Sequence, residues 1–118
     1  NSVIFKLINC MKKICFDLDG VICTNTYGDY KNAKPIQEAI EKVNKLYKDN
    51  YIIIFTARFM GIKKGDIREV YNEGFEFTKS QLKEWKVNYN ELVMGKPEYD
   101  LYIDDKNYNY SSNWIAEL

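Results

Sequence analysis

Four short apolar runs in this sequence each lead into residues able to do chemistry. Residues 14–18 carry Asp17 and Asp19 at their end, with Gly20 behind them, and residues 51–55 lead into Thr56, Ala57 and Arg58. Residues 92–94 lead into Gly95, Lys96 and Pro97, and residues 101–103 into Asp104, Asp105 and Lys106. Two residues apart on extended chain, Asp17 and Asp19 project to the same side, and Gly20 lets the backbone turn away at no steric cost. Four carboxylates drawn into one site would repel. At about 4 Å each like-charged pair costs on the order of 1 kcal/mol in water, and several in a partly buried site. Lys96 supplies one positive charge. A hard divalent cation would supply the rest, and Mg²⁺ suits because it takes one or two carboxylates and keeps waters and substrate phosphate.

The chain has no histidine. That excludes Ser-His-Asp and Cys-His catalysis, His-ligated zinc and an imidazole proton shuttle, so any acid or base must be a carboxylate, Lys, Tyr or Cys. Cys10, Cys15 and Cys23 form neither a disulfide framework nor a zinc pair; they read as reduced thiols behaving as small hydrophobes.

The elements that must position these residues are legible in outline. Short runs rich in Ile, Val, Phe and Tyr between turn residues read as buried strands, which makes all four runs strands. Between the first two lies a helix, with Pro35 in its first turn and Ile36, Ala39, Ile40, Val43, Leu46 and Tyr47 on one apolar stripe. A second helical region spans residues 63–87, broken near Gly74, with Phe75, Thr78, Leu82 and Trp85 on one face of its later half. A last short helix covers residues 111–117. Strands alternating with helices imply right-handed crossovers and a parallel sheet covered on both sides, so the expected fold is α/β, a small three-layer Rossmann-like sandwich. Asp17, Asp19, Thr56, Lys96, Asp104 and Asp105 then all fall at the C-terminal ends of strands, the edge at which open parallel sheets bind ligands.

With 118 residues, 46% of them apolar, the chain reads as one domain with a core of its own. Residues 1–10 read either as an upstream extension or as an edge strand, since Met11 resembles a translation start inside the chain. Seventeen Lys and Arg balance 17 Asp and Glu; without a basic excess, a protein built to grip nucleic acid or an anionic membrane is disfavoured. No apolar run approaches the roughly 20 residues of a membrane span, and the start lacks the features of a signal peptide, which together with the unpaired thiols implies the cytoplasm.

The ordered set Phe16-Asp17-Leu18-Asp19-Gly20-Val21, Ile54-Phe55-Thr56-Ala57-Arg58, Gly95-Lys96-Pro97 and Tyr102-Ile103-Asp104-Asp105 resembles the four signature motifs of the haloacid dehalogenase (HAD) superfamily. It covers residues 13–105, and its compact spacing is similar to small phosphatases of bacterial capsule and surface-polysaccharide synthesis. The resemblance implies that Asp17 is the nucleophile, forming an aspartyl-phosphate, and that Asp19 is the acid that protonates the leaving oxygen and then the base that activates water. It implies that Thr56 and Lys96, with backbone N–H groups near Leu18 and Ala57, hold the phosphoryl oxygens. Mg²⁺ would be held by Asp17, the carbonyl of Asp19 and Asp104, with Asp105 orienting Lys96 or a metal-bound water. Arg58 is the expected contact to phosphate or leaving group, since guanidinium binds oxyanions in a two-pronged fashion.

Superfamily members often carry a cap domain after the first or the lysine motif. Here only residues 21–34 and one helix occupy the first gap and residues 97–100 the second, so the chain resembles the capless class, whose open site is closed by substrate bulk or by a neighbouring subunit in a homo-oligomer. The substrate so implied is a small phosphate ester, a sugar or polyol phosphate. Two rivals are a phosphatase of protein or polynucleotide ends, which an open site permits and the neutral charge disfavours for nucleic acid, and a non-catalytic receiver-like signalling module. A receiver places its acidic pair at the first strand and its phosphorylated Asp at the third; here an acid pair comes last.

Overall fold

The computed structural model describes residues 11–118; the readings of residues 1–10, Cys10 among them, lie outside the described residues. Three strands, β1 (Lys13–Phe16), β2 (Tyr51–Thr56) and β3 (Glu91–Met94), form a parallel sheet in the order β1-β2-β3. The register sets Phe16 opposite Ile54 and Thr56 opposite Met94, so the strands end close to one level. On β2 the alternation puts Ile52, Ile54 and Thr56 on the fully covered face. Burying an Ile side chain stabilises by about 1.5–3 kcal/mol before entropy is counted, which is why β2 anchors the sheet.

Between β1 and β2 runs α1 (Gln37–Tyr47), which buries Ala39, Ile40 and Val43 as the stripe requires. It starts after Pro35, with Ile36 at the N-cap position. Between β2 and β3 a continuous helical path replaces the expected break: α2 (Ile67–Val70), one π-helical turn (Tyr71–Phe75) and α3 (Glu76–Glu84). Gly74 sits in that π turn because a Cβ there would stand only 2.5 Å from a ring carbon of Phe59. A Gly at this point admits close packing and need not end a helix. The final helix, α4 (Trp114–Glu117), brings the buried Trp114 ring to 5.5 Å from that of Phe16.

The fourth expected strand is corrected. Residues 101–103 form no strand, and Ile103 is 88% exposed. The rings of Tyr99 and Tyr102 lie 5.0 Å apart, and both cover the ammonium of Lys96, at 5.3 and 5.2 Å. Extended chain sends positions three apart to opposite sides, so residues 99–102 bend around that cation and do not run on as one extended stretch. The observed fold is therefore α/β with a three-stranded parallel sheet. Among the described residues no helix is long and apolar enough to cross a membrane.

Candidate active site

Each strand delivers one polar group to the C-terminal edge of the sheet. Asp17 is the first residue past β1, Thr56 the last of β2, and Lys96 lies two past β3, where its backbone N–H donates to the Thr56 carbonyl at 3.1 Å and so prolongs the β2–β3 ladder. After Asp17 the chain coils tightly. The N–H groups of Val21, Ile22 and Cys23 all point at the Leu18 carbonyl, and Gly20, at φ 89°, makes the reversal that a side chain would resist. Gly95, at φ 92°, performs the same service before Lys96.

Asp17 and Lys96 face each other, Oδ2 to Nζ, at 3.7 Å. Burial pushes the Asp17 carboxyl above its ordinary value, although Lys96 and the Leu18 N–H, which donates to Oδ1 at 2.8 Å, both pull it down. For Lys96 burial pulls down, but the Asp17 charge and the Tyr99 hydroxyl outweigh it, so the ammonium titrates above its usual range and stays charged at neutral pH. A carboxylate beside a fixed cation is the result, 3.7 Å being long enough for each to engage a third group.

Asp19 is held differently. Arg58 donates Nε to its Oδ2 at 2.8 Å and Nη2 to its Oδ1 at 2.9 Å, a two-pronged pair. The guanidinium is 1% exposed, lies 4.8 Å from the Tyr30 ring, and gives Nη1 to Gln81 Oε1 at 2.6 Å. Cys23 Sγ packs 3.4 Å from Asp19 Oδ1; burial, then the Asp19 charge, push that thiol up to about 12, so it remains a protonated thiol. Arg58, expected to contact phosphate or leaving group, has its fork engaged by Asp19 in this structure. A bidentate guanidinium still leaves each carboxylate oxygen a second lone pair, and with Cys23 beside Oδ1 it is Oδ2 that has acceptor capacity to spare.

These groups line one crevice of about 890 Å³ that holds Asp17, Asp19, Thr56, Ala57, Arg58 and Lys96 in its wall. Leu18 does not line it; its side chain is wholly buried and its N–H is taken by Asp17. Ala57 does. Thr56 Oγ1 accepts the Arg58 N–H at 3.1 Å, which fixes the hydroxyl and leaves its own hydrogen to donate.

Asp104 and Asp105, expected at the site, are not among the residues that line the crevice. Both are exposed, and Asp104 accepts the Lys106 N–H at 2.9 Å within a turn, which with the Asp105 side chain holds its carboxyl below the ordinary value. It lies near enough to Cys15 that its charge, after burial and Asp17, helps to push that thiol up. Among the described residues no three acidic, Cys or His side chains come together as a ready metal cage. For Mg²⁺ the donors in the crevice fit in kind and only partly in number: hard carboxylate oxygen from Asp17, with water and substrate phosphate to complete the shell, is within what the ion accepts. The Asp104 and Asp105 share is not in place.

The fold and the crevice define a class, an α/β protein whose parallel sheet bears an acid and lysine site at its C-terminal edge. Within that class the chain is similar to a crystal structure of a target protein from Vibrio cholerae: 27% sequence identity, TM-score 0.77, 91% of this chain and 95% of that one covered. That description says nothing of an activity. No family model and no curated protein matches the chain.

Several site residues were not found from the sequence. Gln81 gave one signal, a polar side chain three residues after Thr78 on an otherwise apolar helix face. Tyr99 and Tyr102, which roof Lys96, gave none. Asn25 and Tyr27, by contrast, belong to the 21–34 segment that the sequence leaves as a flap to read the substrate: Tyr27 stands at the rim, 92% exposed and held at φ 53° beside Gly28, with Asn25 and Ile62 near it.

Proposed function

We propose that this chain is a capless phosphatase of the HAD type, a Mg²⁺-dependent phosphomonoester hydrolase with the three-layer sandwich of that superfamily, acting in the cytoplasm on a sugar or polyol phosphate of surface-polysaccharide synthesis. The observation that carries the reading is the approach of Asp17 to Lys96 beside Thr56 at the end of a parallel sheet. Support for the substrate class comes from the rim, where the bare ring of Tyr27 and the amide of Asn25 suit a ring with one apolar face and many hydroxyls.

In this reading Asp19 takes up a proton from solvent on the free lone pair of Oδ2; an Asp17 oxygen attacks phosphorus, and the bond from phosphorus to the leaving oxygen breaks as Asp19 gives that oxygen the proton. Lys96 and the Thr56 hydroxyl hold the phosphoryl oxygens as charge grows on them. Asp19, now ionised, takes a proton from water; the water oxygen attacks the aspartyl-phosphate, phosphate leaves and Asp17 is restored. Mg²⁺, held by Asp17 and the Asp19 carbonyl, would supply further neutralisation of the phosphoryl charge. Binding and in-line placement fall to the chain's own residues.

Release of phosphate from 4-nitrophenyl phosphate with Mg²⁺ tests the proposal. Activity should vanish in Asp17→Asn, and full activity in that variant would overturn it.

A further inference from the structure

Gln81 takes no part in the chemistry above, yet three elements meet at its amide. It lies buried on α3, 23 positions after Arg58 and 51 after Tyr30. Its Oε1 accepts Arg58 Nη1 at 2.6 Å, while its Nε2 donates to the Tyr30 carbonyl at 2.8 Å, in the 3₁₀ turn Tyr30–Asn32. Tyr30 is itself bound twice more to the same region, its ring over the Arg58 guanidinium and its hydroxyl accepting the Phe59 N–H at 3.2 Å.

The donor inventory of Arg58 shows what the amide does. Nε and one Nη2 hydrogen go to Asp19, Nη2 also faces Cys23 Sγ at 3.6 Å, and Nη1 goes to Gln81. Each of these bonds is costly to lose from a buried guanidinium, so the acceptor behind it helps to decide where the fork in front points. The amide meets both demands at this position. A carboxylate would accept from Nη1 but could not donate to Tyr30, and it would compete with Asp19 for the same cation; a thioether would do neither.

We infer that Gln81 is a positioning residue for Asp19: by holding Arg58 from behind and tying it to the Tyr30 turn, it sets the direction in which a proton carried on the spare lone pair of Asp19 Oδ2 meets the leaving oxygen. The inference rests on the phosphatase reading, and its test separates the two. A general acid matters most when the leaving oxygen is a poor one, because an activated aryl oxide departs without a proton. Gln81→Met, close in volume, and Gln81→Glu, close in shape, are compared with the unaltered chain on glycerol 2-phosphate and on 4-nitrophenyl phosphate. The Arg58 Nε–H signal is followed by ¹⁵N NMR.

In both variants kcat on glycerol 2-phosphate falls roughly 10- to 100-fold, part of the 100- to 10,000-fold that proton transfer typically contributes. On 4-nitrophenyl phosphate the pre-steady-state burst of 4-nitrophenolate, which reports attack by Asp17 and needs no proton from Asp19, keeps its rate within about threefold, KM changes less than about twofold on either, and the Arg58 Nε–H loses its protection from solvent exchange. An equal loss in that burst rate and in turnover of glycerol 2-phosphate, as a merely structural role would give, overturns the inference, as does no loss in either. If the unaltered chain hydrolyses neither ester with Mg²⁺, the phosphatase reading falls. The NMR signal then decides the clamp by itself: protection lost in Gln81→Met supports it, and protection kept overturns it.

Discussion

Two acid pairs follow apolar runs in this chain, and they end in opposite surroundings. Asp17 and Asp19 leave a strand whose neighbour is in register, and each meets a nearly buried cation, Lys96 or Arg58. Asp104 and Asp105 leave a run that pairs with no strand among the described residues, and they stand in water. The local sequences are alike; the difference lies in what the neighbouring chain offers. A carboxylate acquires a fixed direction when backbone on both sides is covered and a cation is close, and an exposed one is left to hydrogen-bond its own turn. Just before the second pair, the rings of Tyr99 and Tyr102 lie over the Lys96 ammonium.

That contrast can be broken or sharpened by measurement. The largest effect is expected at Asp17, the nucleophile of the proposed mechanism: Asp17→Asn should lower phosphate release at least about a thousandfold, since the covalent route would be closed, read by steady-state kinetics. Next in size is the difference between two isoleucines. Ile54→Ala, in the covered face of β2, should cost about 2–5 kcal/mol in denaturant unfolding, whereas Ile103→Ala should stay within about 0.5 kcal/mol. Equal costs at the two positions would mean that residues 101–103 are packed in solution.

Lys96→Met should lower kcat by roughly a hundredfold, the usual scale for removing one preorganised donor to developing charge; a loss in KM alone would place the lysine in ground-state binding. The smallest effect is a pH dependence of stability. Folded Cys23 titrates at about 12 against 9.0 for the free thiol, so from about 9.0 upward the unfolded chain gives up a proton that the folded one keeps. Stability from this thiol is intact below that value and is lost as pH rises towards 12. Thermal melts between those limits should fall less steeply in Cys23→Ala, and an unchanged slope would show the thiol to be solvated.

Much of the architecture was legible. The stripe of Ala39, Ile40 and Val43 repeats at helical period and is the buried face of α1, and three apolar runs became β1, β2 and β3. Period carries this information because it is a local property of the backbone. The run at 101–103 failed the same reading because three apolar residues bound by acids satisfy the pattern of a strand without specifying a partner. Gly74 was read as a break, yet the helical path continues through it: the pattern shows a missing side chain and not the Phe59 ring that needs the space. At the site, Asp17, Asp19, Thr56 and Lys96 were placed at one edge by strand ends alone. The role of Arg58 was not, since a guanidinium looks the same whether it waits for substrate or is committed to Asp19.

By itself the sequence determined which residue types stand at the ends of β1, β2 and β3, and with them the absence of imidazole chemistry and the demand for cations among carboxylates. The tertiary structure alone decided how those charges are shared out: Lys96 to Asp17, Arg58 to Asp19 with Gln81 behind it, and Asp104 to its own turn. The physical reason is range. Strand and helix patterns are written within a few residues by backbone geometry, while a buried ion pair joins positions tens of residues apart, and its partners are chosen by distance, desolvation and the donors left over once the chain has packed.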